Sequence, residues 1–275
     1  MDEQKTGKSF YFFDFDDNLM FLDTPIFLTN TQTGEERSVS TSQYAALRPD
    51  LGKPGPWQDY KDTATSYQRY YDRPPSETAA GARQYFTEDI ENALQKAAVQ
   101  WQAPSWPLFD YACRNQRPVA LITARGHSRE TIMEGVKVLV DKGFLVREPD
   151  YLAIFAVNNP EMAEELLGQI PDHAEAERVR ALADRTSILK RIAIGCIVDK
   201  ALALYGASLP HRFGMSDDDP MNVALITKAM CDCKRKYRDK RFFVINTHEG
   251  EDVKLEVFPA DYPVTGCAKP DEVIG

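Results

Sequence analysis

Five short apolar runs punctuate the chain, at residues 10–13 (FYFF), 119–123 (VALIT), 152–157 (LAIFAV), 212–216 (RFGMS) and 242–246 (FFVIN). None alternates cleanly between apolar and polar, which is the pattern of strands covered on both faces. Helical spacing separates them. Residues 129–142 carry Ile132, Val136, Leu139 and Val140; residues 187–205 carry Leu189, Ile192, Ala193, Cys196, Ile197 and Leu204. A third helix is expected over 223–236. Strand and helix in alternation predict an α/β fold, a parallel sheet with helices on both faces.

Two stretches exceed a minimal five-stranded core. Residues 19–118 separate the first two runs. They open on an expected hairpin, 26–29 with 37–40, turning near Thr33-Gly34. A Pro- and Tyr-rich region comes next over 44–75, then an expected helix over 87–102. Trp57, Trp101 and Trp106 read best as packing inside this insertion. The second stretch, 159–185, is acidic and reads as a helical excursion. After Thr247 one more strand is expected over 253–258.

Composition narrows the class. With 275 residues, 43% hydrophobic and 27% charged, the chain can bury a core, so disorder is excluded as its main state. A formal net charge of −9 argues against nucleic acid and anionic membrane as partners. The basic run 234–241 (KRKYRDKR) goes against that trend and reads as a solvated helix end. No apolar stretch approaches the ~20 residues that span a bilayer, and no apolar signal segment precedes the first run. The cysteines, Cys113, Cys196, Cys231, Cys233 and Cys267, are odd in number and scattered. They predict reduced thiols in a cytoplasmic protein, without a disulfide framework or zinc site.

The chemistry concentrates at run ends. Asp14-Phe15-Asp16-Asp17-Asn18 directly follows FYFF, where an open parallel sheet binds ligands. Crowded carboxylates repel one another unless a cation sits among them, and a hard divalent ion takes such oxygens; a solvated acidic turn is the alternative. Ser216-Asp217-Asp218-Asp219-Pro220 ends the fourth run. Asp219 suits a helix cap, but three acids exceed what a cap needs. Thr123 ends VALIT before Ala124-Arg125-Gly126, where a hydroxyl and free backbone N–H groups can meet a phosphate. Arg125 and His127 can reach a substrate but read better as solvated loop residues. Lys190 lies near the start of the helix before the fourth run.

In this order these residues resemble the haloacid dehalogenase-like hydrolase superfamily. Asp14-Phe15-Asp16-Asp17-Asn18 is similar to its first motif, Thr123 to the second-motif hydroxyl, Lys190 to the third-motif lysine, and Asp217-Asp218 to the fourth-motif acids. Asn18 stands where Thr is common, and Asp17 where many members have Gly. The resemblance spans 9–18 and 119–247. It implies a Rossmann-like three-layer core of residues 1–18 and 119–275, with a parallel five-stranded sheet in the order 5-4-1-2-3, and a cap of residues 19–118. It further implies a Mg²⁺-dependent phosphatase acting on a small phosphate ester through an aspartyl-phosphate. Asp14 would be the nucleophile and Asp16 the general acid and base. Thr123, the Ala124-Arg125 turn and Lys190 would hold the phosphoryl oxygens. Asp14, Asp217 and Asp218 would surround the metal together with the backbone carbonyl of Asp16, with the choice between Asp217 and Asp218 as direct ligand open. A phosphotransferase or phosphomutase, or a silent binding protein of the same fold, are the alternatives. Lys190 is preferred to Lys200 because it falls in the first helical turn; a helix starting at Asp199 would reverse that.

Overall fold

The five apolar runs become neighbours in one sheet. The computed structural model describes residues 6–63, 65–182, 185–250 and 253–259. Its strands are β1 (Ser9–Phe13), β2 (Ile26–Asn30), β3 (Glu36–Val39), β4 (Tyr60–Lys61), β5 (Pro118–Thr123), β6 (Asp150–Ala156), β7 (Arg212–Asp217), β8 (Arg241–Asn246) and β9 (Val253–Glu256). Its helices are α1 (Thr41–Leu47), α2 (Pro75–Ala79), α3 (Tyr85–Ala93), α4 (Ala98–Trp101), α5 (Trp106–Arg114), α6 (Arg129–Asp141), α7 (Pro160–Leu167), α8 (His173–Ala181), α9 (Thr186–Tyr205) and α10 (Pro220–Lys236). The main sheet runs β6-β5-β1-β7-β8-β9. Its first five strands are parallel, in the order expected, and β9 adds an antiparallel edge against β8. β9 ends at Glu256, two residues short of the expected strand.

Alternation along β1 builds the layers. Phe10 and Phe12 enter one cluster with Ala120, Ile122, Phe213 and the apolar faces of α7, α9 and α10. Phe13 enters the other, with Val119, Leu121 and residues of α3, α5 and α6. All three phenylalanines are buried, and each such side chain stabilises the fold by roughly 1.5–3 kcal/mol. The result is a Rossmann-like α/β sandwich of three layers.

The stretch 19–118 packs in two parts. Its strands pair only among themselves, as a three-stranded sheet β3-β2-β4. That small sheet has its own core of Ile26, Leu28, Val39, Tyr44, Leu47, Tyr60 and Tyr70, with Trp57 packed against it. Residues from Tyr85 onward instead cover the main sheet: Phe86, Ile90, Trp101, Trp106 and Phe109 share the cluster of Phe13. Trp101 and Trp106 therefore serve the main core, not the insertion. The single helix expected over 87–102 is broken between Ala93 and Ala98, where the chain makes a turn, and α5 was not expected at all.

The basic run is more than a solvated helix end. Lys234 is buried and its Nζ donates to the carbonyls of Arg238 and Lys240, closing the turn after α10. Lys240 is also buried, paired with Asp239. Cys113, Cys196 and Cys233 are free thiols, and Cys267 lies outside the described residues. Among the described residues no helix is long and apolar enough to cross a membrane.

Candidate active site

Parallel register brings the acids together. Phe13 pairs with Leu121 on one side and Ser216 on the other, so the next residue, Asp14, emerges level with the ends of β5 and β7. The Asp14 N–H donates to the Ser216 carbonyl at 3.2 Å. α9 leads into β7 and runs antiparallel to it, so its first turn lies at this same edge. It is one helix from Thr186, and Lys190 Nζ reaches Asp14 Oδ1 at 3.0 Å and Asp217 Oδ2 at 3.2 Å. Lys200 is exposed further down the helix.

Asp14, Asp217 and Asp218 each offer an oxygen, all within 4.8 Å of one another. Asp217 Oδ1 accepts from the Asp219 N–H at 3.1 Å and from Asn222 Nδ2 at 3.2 Å. Asp219 caps α10 by accepting from the Met221 N–H, as expected of it. This group of hard oxygen donors suits a divalent cation. The Asp16 carboxylate lies outside this group; the expectation for Asp16 concerns its backbone carbonyl. Its carboxylate turns to Arg125, at 2.9 Å from Nε and 2.6 Å from Nη2. Arg125 and His127 are fully buried, so the solvated reading of both is overturned. Both ring nitrogens of His127 lack a hydrogen-bond partner. Burial and the Arg125 charge hold His127 neutral, its pKa lowered to about 2.

Burial and mutual repulsion set the charge of the site. Asp14 is pushed up to about 7, by burial against the pull of Lys190 and with the repulsion of Asp217 added. Asp218 is pushed up to about 8 by burial, then by Asp14 and Asp217. Burial acts to lower Lys190, but the two carboxylates outweigh it and raise its pKa, so it stays an ammonium. One ammonium among three acids leaves the group short of positive charge. A proton or a cation makes up the difference.

These directions make stability depend on pH. Folding raises the pKa of Asp14 and Asp218 from 3.8. The folded chain therefore binds more protons than the unfolded one over that interval. Their contribution is full below about pH 4 and is lost as pH rises through about 7 to 8. Without divalent cations, the unfolding free energy is expected to fall by on the order of 5 kcal/mol between pH 5 and pH 8. Denaturant titrations at the two pH values measure it; a flat or rising profile contradicts the assignment.

Asn18 ties the edge together, a role its sequence position did not reveal. It is fully buried. Its Nδ2 donates to the Asp14 carbonyl at 3.0 Å and to Ser216 Oγ at 3.0 Å. Its Oδ1 accepts from Ser105 Oγ at 2.8 Å and Thr247 Oγ1 at 3.0 Å. The ends of β1, β7 and β8 and the start of α5 thus meet on one amide. Asn18→Ala strands several buried polar groups and is expected to cost about 3 kcal/mol, read as a shift of the urea midpoint at constant slope. A shift worth less than about 1 kcal/mol would mean that water replaces the amide.

Asp17, beside it, adopts φ +57°, a left-handed conformation that glycine takes most easily and Asp tolerates. Its carboxyl is pushed up to about 6 by burial, with Thr41, the first residue of α1, acting in the opposite direction. Thr123 is buried at the end of β5, and its hydroxyl accepts the Arg125 N–H at 3.3 Å. Ala124 is exposed, and its carbonyl accepts from Asn158 Nδ2 at 2.6 Å. Asn158 Oδ1 in turn accepts from Thr186 Oγ1 at 3.1 Å. Asn158 therefore links the turn after Thr123 to the start of α9, four residues before Lys190. α9 has no side-chain cap at its start, and Thr186, its first residue, is held by this link.

A scan against protein-family models matches none, and searches of curated proteins and of solved structures find no significant match.

Proposed function

We propose that the protein is a haloacid dehalogenase-like hydrolase, a Mg²⁺-dependent phosphatase acting on a small phosphorylated metabolite. One observation carries this reading. The acid that ends β1, Asp14, shares a buried group with Lys190, Asp217 and Asp218 at the carboxyl edge of the parallel sheet. A nucleophile, a cation for phosphoryl oxygens and a set of metal-binding acids are the parts such chemistry needs.

Asp14, Asp217 and Asp218, with the backbone carbonyl of Asp16, would hold Mg²⁺, which when bound supplies positive charge to the transferring phosphoryl group. The other steps belong to the chain. A carboxylate oxygen of Asp14 attacks phosphorus in line while the bond to the leaving oxygen breaks, giving an aspartyl-phosphate. Asp16 gives the leaving oxygen its proton, then takes one from the water that releases phosphate. Lys190, the Thr123 hydroxyl and the turn at Ala124 and Arg125 hold the phosphoryl oxygens as charge spreads over them. The small sheet serves as the cap. The Tyr70 ring over Arg125 and the Gly126–Tyr70 hydrogen bond support this reading, since a cover there would exclude water and favour small substrates.

The test is hydrolysis of p-nitrophenyl phosphate at pH 7 by the intact chain, with Mg²⁺ and with EDTA. Turnover is expected with Mg²⁺ alone. The ion should also raise the melting temperature by relieving repulsion among the acids. Equal melting and equal hydrolysis in both conditions would end the reading.

A further inference from the structure

Asp16 faces a guanidinium that is itself held from two sides. Arg125 grips both carboxylate oxygens, and its Nη2 also donates to Thr24 Oγ1 at 2.8 Å. Thr24 Oγ1 donates onward to Asp89 Oδ2 at 2.7 Å. The guanidinium lies over the rings of Tyr70 and Phe86, 4.8 Å from each centroid. Phe86 belongs to the main core and Tyr70 to the core of the small sheet. The residue after Arg125 fixes the docking. The Gly126 N–H donates to the Tyr70 carbonyl at 2.8 Å, and a Cβ there would meet the Tyr71 ring at 2.2 Å. The Tyr70 hydroxyl donates to the Thr24 carbonyl at 3.2 Å.

A planar fork that bonds both oxygens fixes the plane of a carboxyl group, which a lysine cannot do. Each Asp16 oxygen keeps a lone pair on the side away from the guanidinium. A proton held there has a fixed direction. We propose that Arg125 is a positioning residue that aims Asp16, and that it does so only while the small sheet is docked against Gly126. The aim of Asp16 rests on the phosphatase reading; the link to docking rests on the contacts alone. Opening of the small sheet removes Tyr70 from the guanidinium and loosens the acid, so proton transfer is competent only under the closed cover.

The test compares wild type, Arg125→Ala, Arg125→Lys and Tyr70→Leu with Asp16→Asn as reference. Rates with Mg²⁺ are measured on p-nitrophenyl phosphate and on an alkyl phosphate, whose poor leaving group needs the proton. Hydrogen exchange of residues 24–71 is followed in the same proteins. Arg125→Ala is expected to lose about 10- to 100-fold more on the alkyl ester than on the aryl ester, the skew of Asp16→Asn. Arg125→Lys should keep that skew, while added guanidinium should recover part of the alkyl rate in Arg125→Ala. Tyr70→Leu should show the same skew, smaller. Exchange over 24–71 should rise about tenfold in both Arg125→Ala and Tyr70→Leu while β1, β5 and β7 stay protected. Equal losses on the two esters, or unchanged exchange over 24–71, overturn the proposal. If Arg125→Ala does not fold, Tyr70→Leu decides by the same two readouts. If wild type hydrolyses neither ester, the phosphatase reading fails. Exchange then decides the clamp: a rise upholds the docking link and no rise overturns it.

Discussion

Asp14→Asn is expected to lower phosphatase turnover by at least about four orders of magnitude, because an amide cannot form the acyl phosphate. The fold should survive, since the shape and an acceptor for Lys190 remain. Stability gives an independent check. At pH 8 without divalent cations, wild-type Asp14 is ionised in a buried site that opposes its charge. The variant has no such charge and should be more stable by roughly 2–3 kcal/mol. At pH 5 wild-type Asp14 is protonated and the gain should vanish. Chemical denaturation at both pH values, beside the assay, measures the two effects separately. A variant less stable than wild type at pH 8 would show that Lys190 compensates Asp14 in full.

Lys190→Ala should be nearly as damaging to turnover and far worse for the fold. Its ammonium is buried between Asp14 and Asp217, and without it two buried carboxylates face each other unpaired. Breaking a buried pair in this way costs about 3–5 kcal/mol. Part of that loss should return at pH 5, where protonation replaces the missing charge. Lys200→Ala removes an exposed side chain and should stay within about 0.5 kcal/mol with activity retained. The reverse ranking in a side-by-side assay would refute the placement of the cation.

Much of the fold and the candidate site was legible in the sequence because it is local. A run such as FYFF or VALIT announces a doubly covered strand, and the next residue of the chain must lie at that strand's end. Asp14, Thr123 and Asp217 could therefore be assigned to one edge from order alone. Lys190 could be assigned because a helix leading into a strand starts at that edge. The partner of each buried polar group stayed hidden. Asn18 bonds to Ser216, Ser105 and Thr247, which lie 198, 87 and 229 residues away. Arg125 reaches Asp16 over 109 residues. No periodicity marks such pairs, so Asn18 read as a departure from a motif and Arg125 as a solvated loop residue. α5 was missed for another reason. It has only nine residues and carries a proline in its first turn, where proline is tolerated but reads as a helix breaker. The split of 19–118 was hidden too, since apolar residues at helical spacing do not say which core they enter.

The central position of β1 dictates the order in which the molecule can be assembled. β1 precedes every strand it touches, yet its edges are completed by β5 and β7, and Asp14 meets Lys190 only across 176 residues of chain. Closing such long loops carries an entropic cost that only the finished sheet repays. During synthesis β1 must wait, apolar and unpaired on one side, until β7 has left the ribosome. The acid it carries gains its neighbours Lys190 and Asp217 only as β7 joins the sheet.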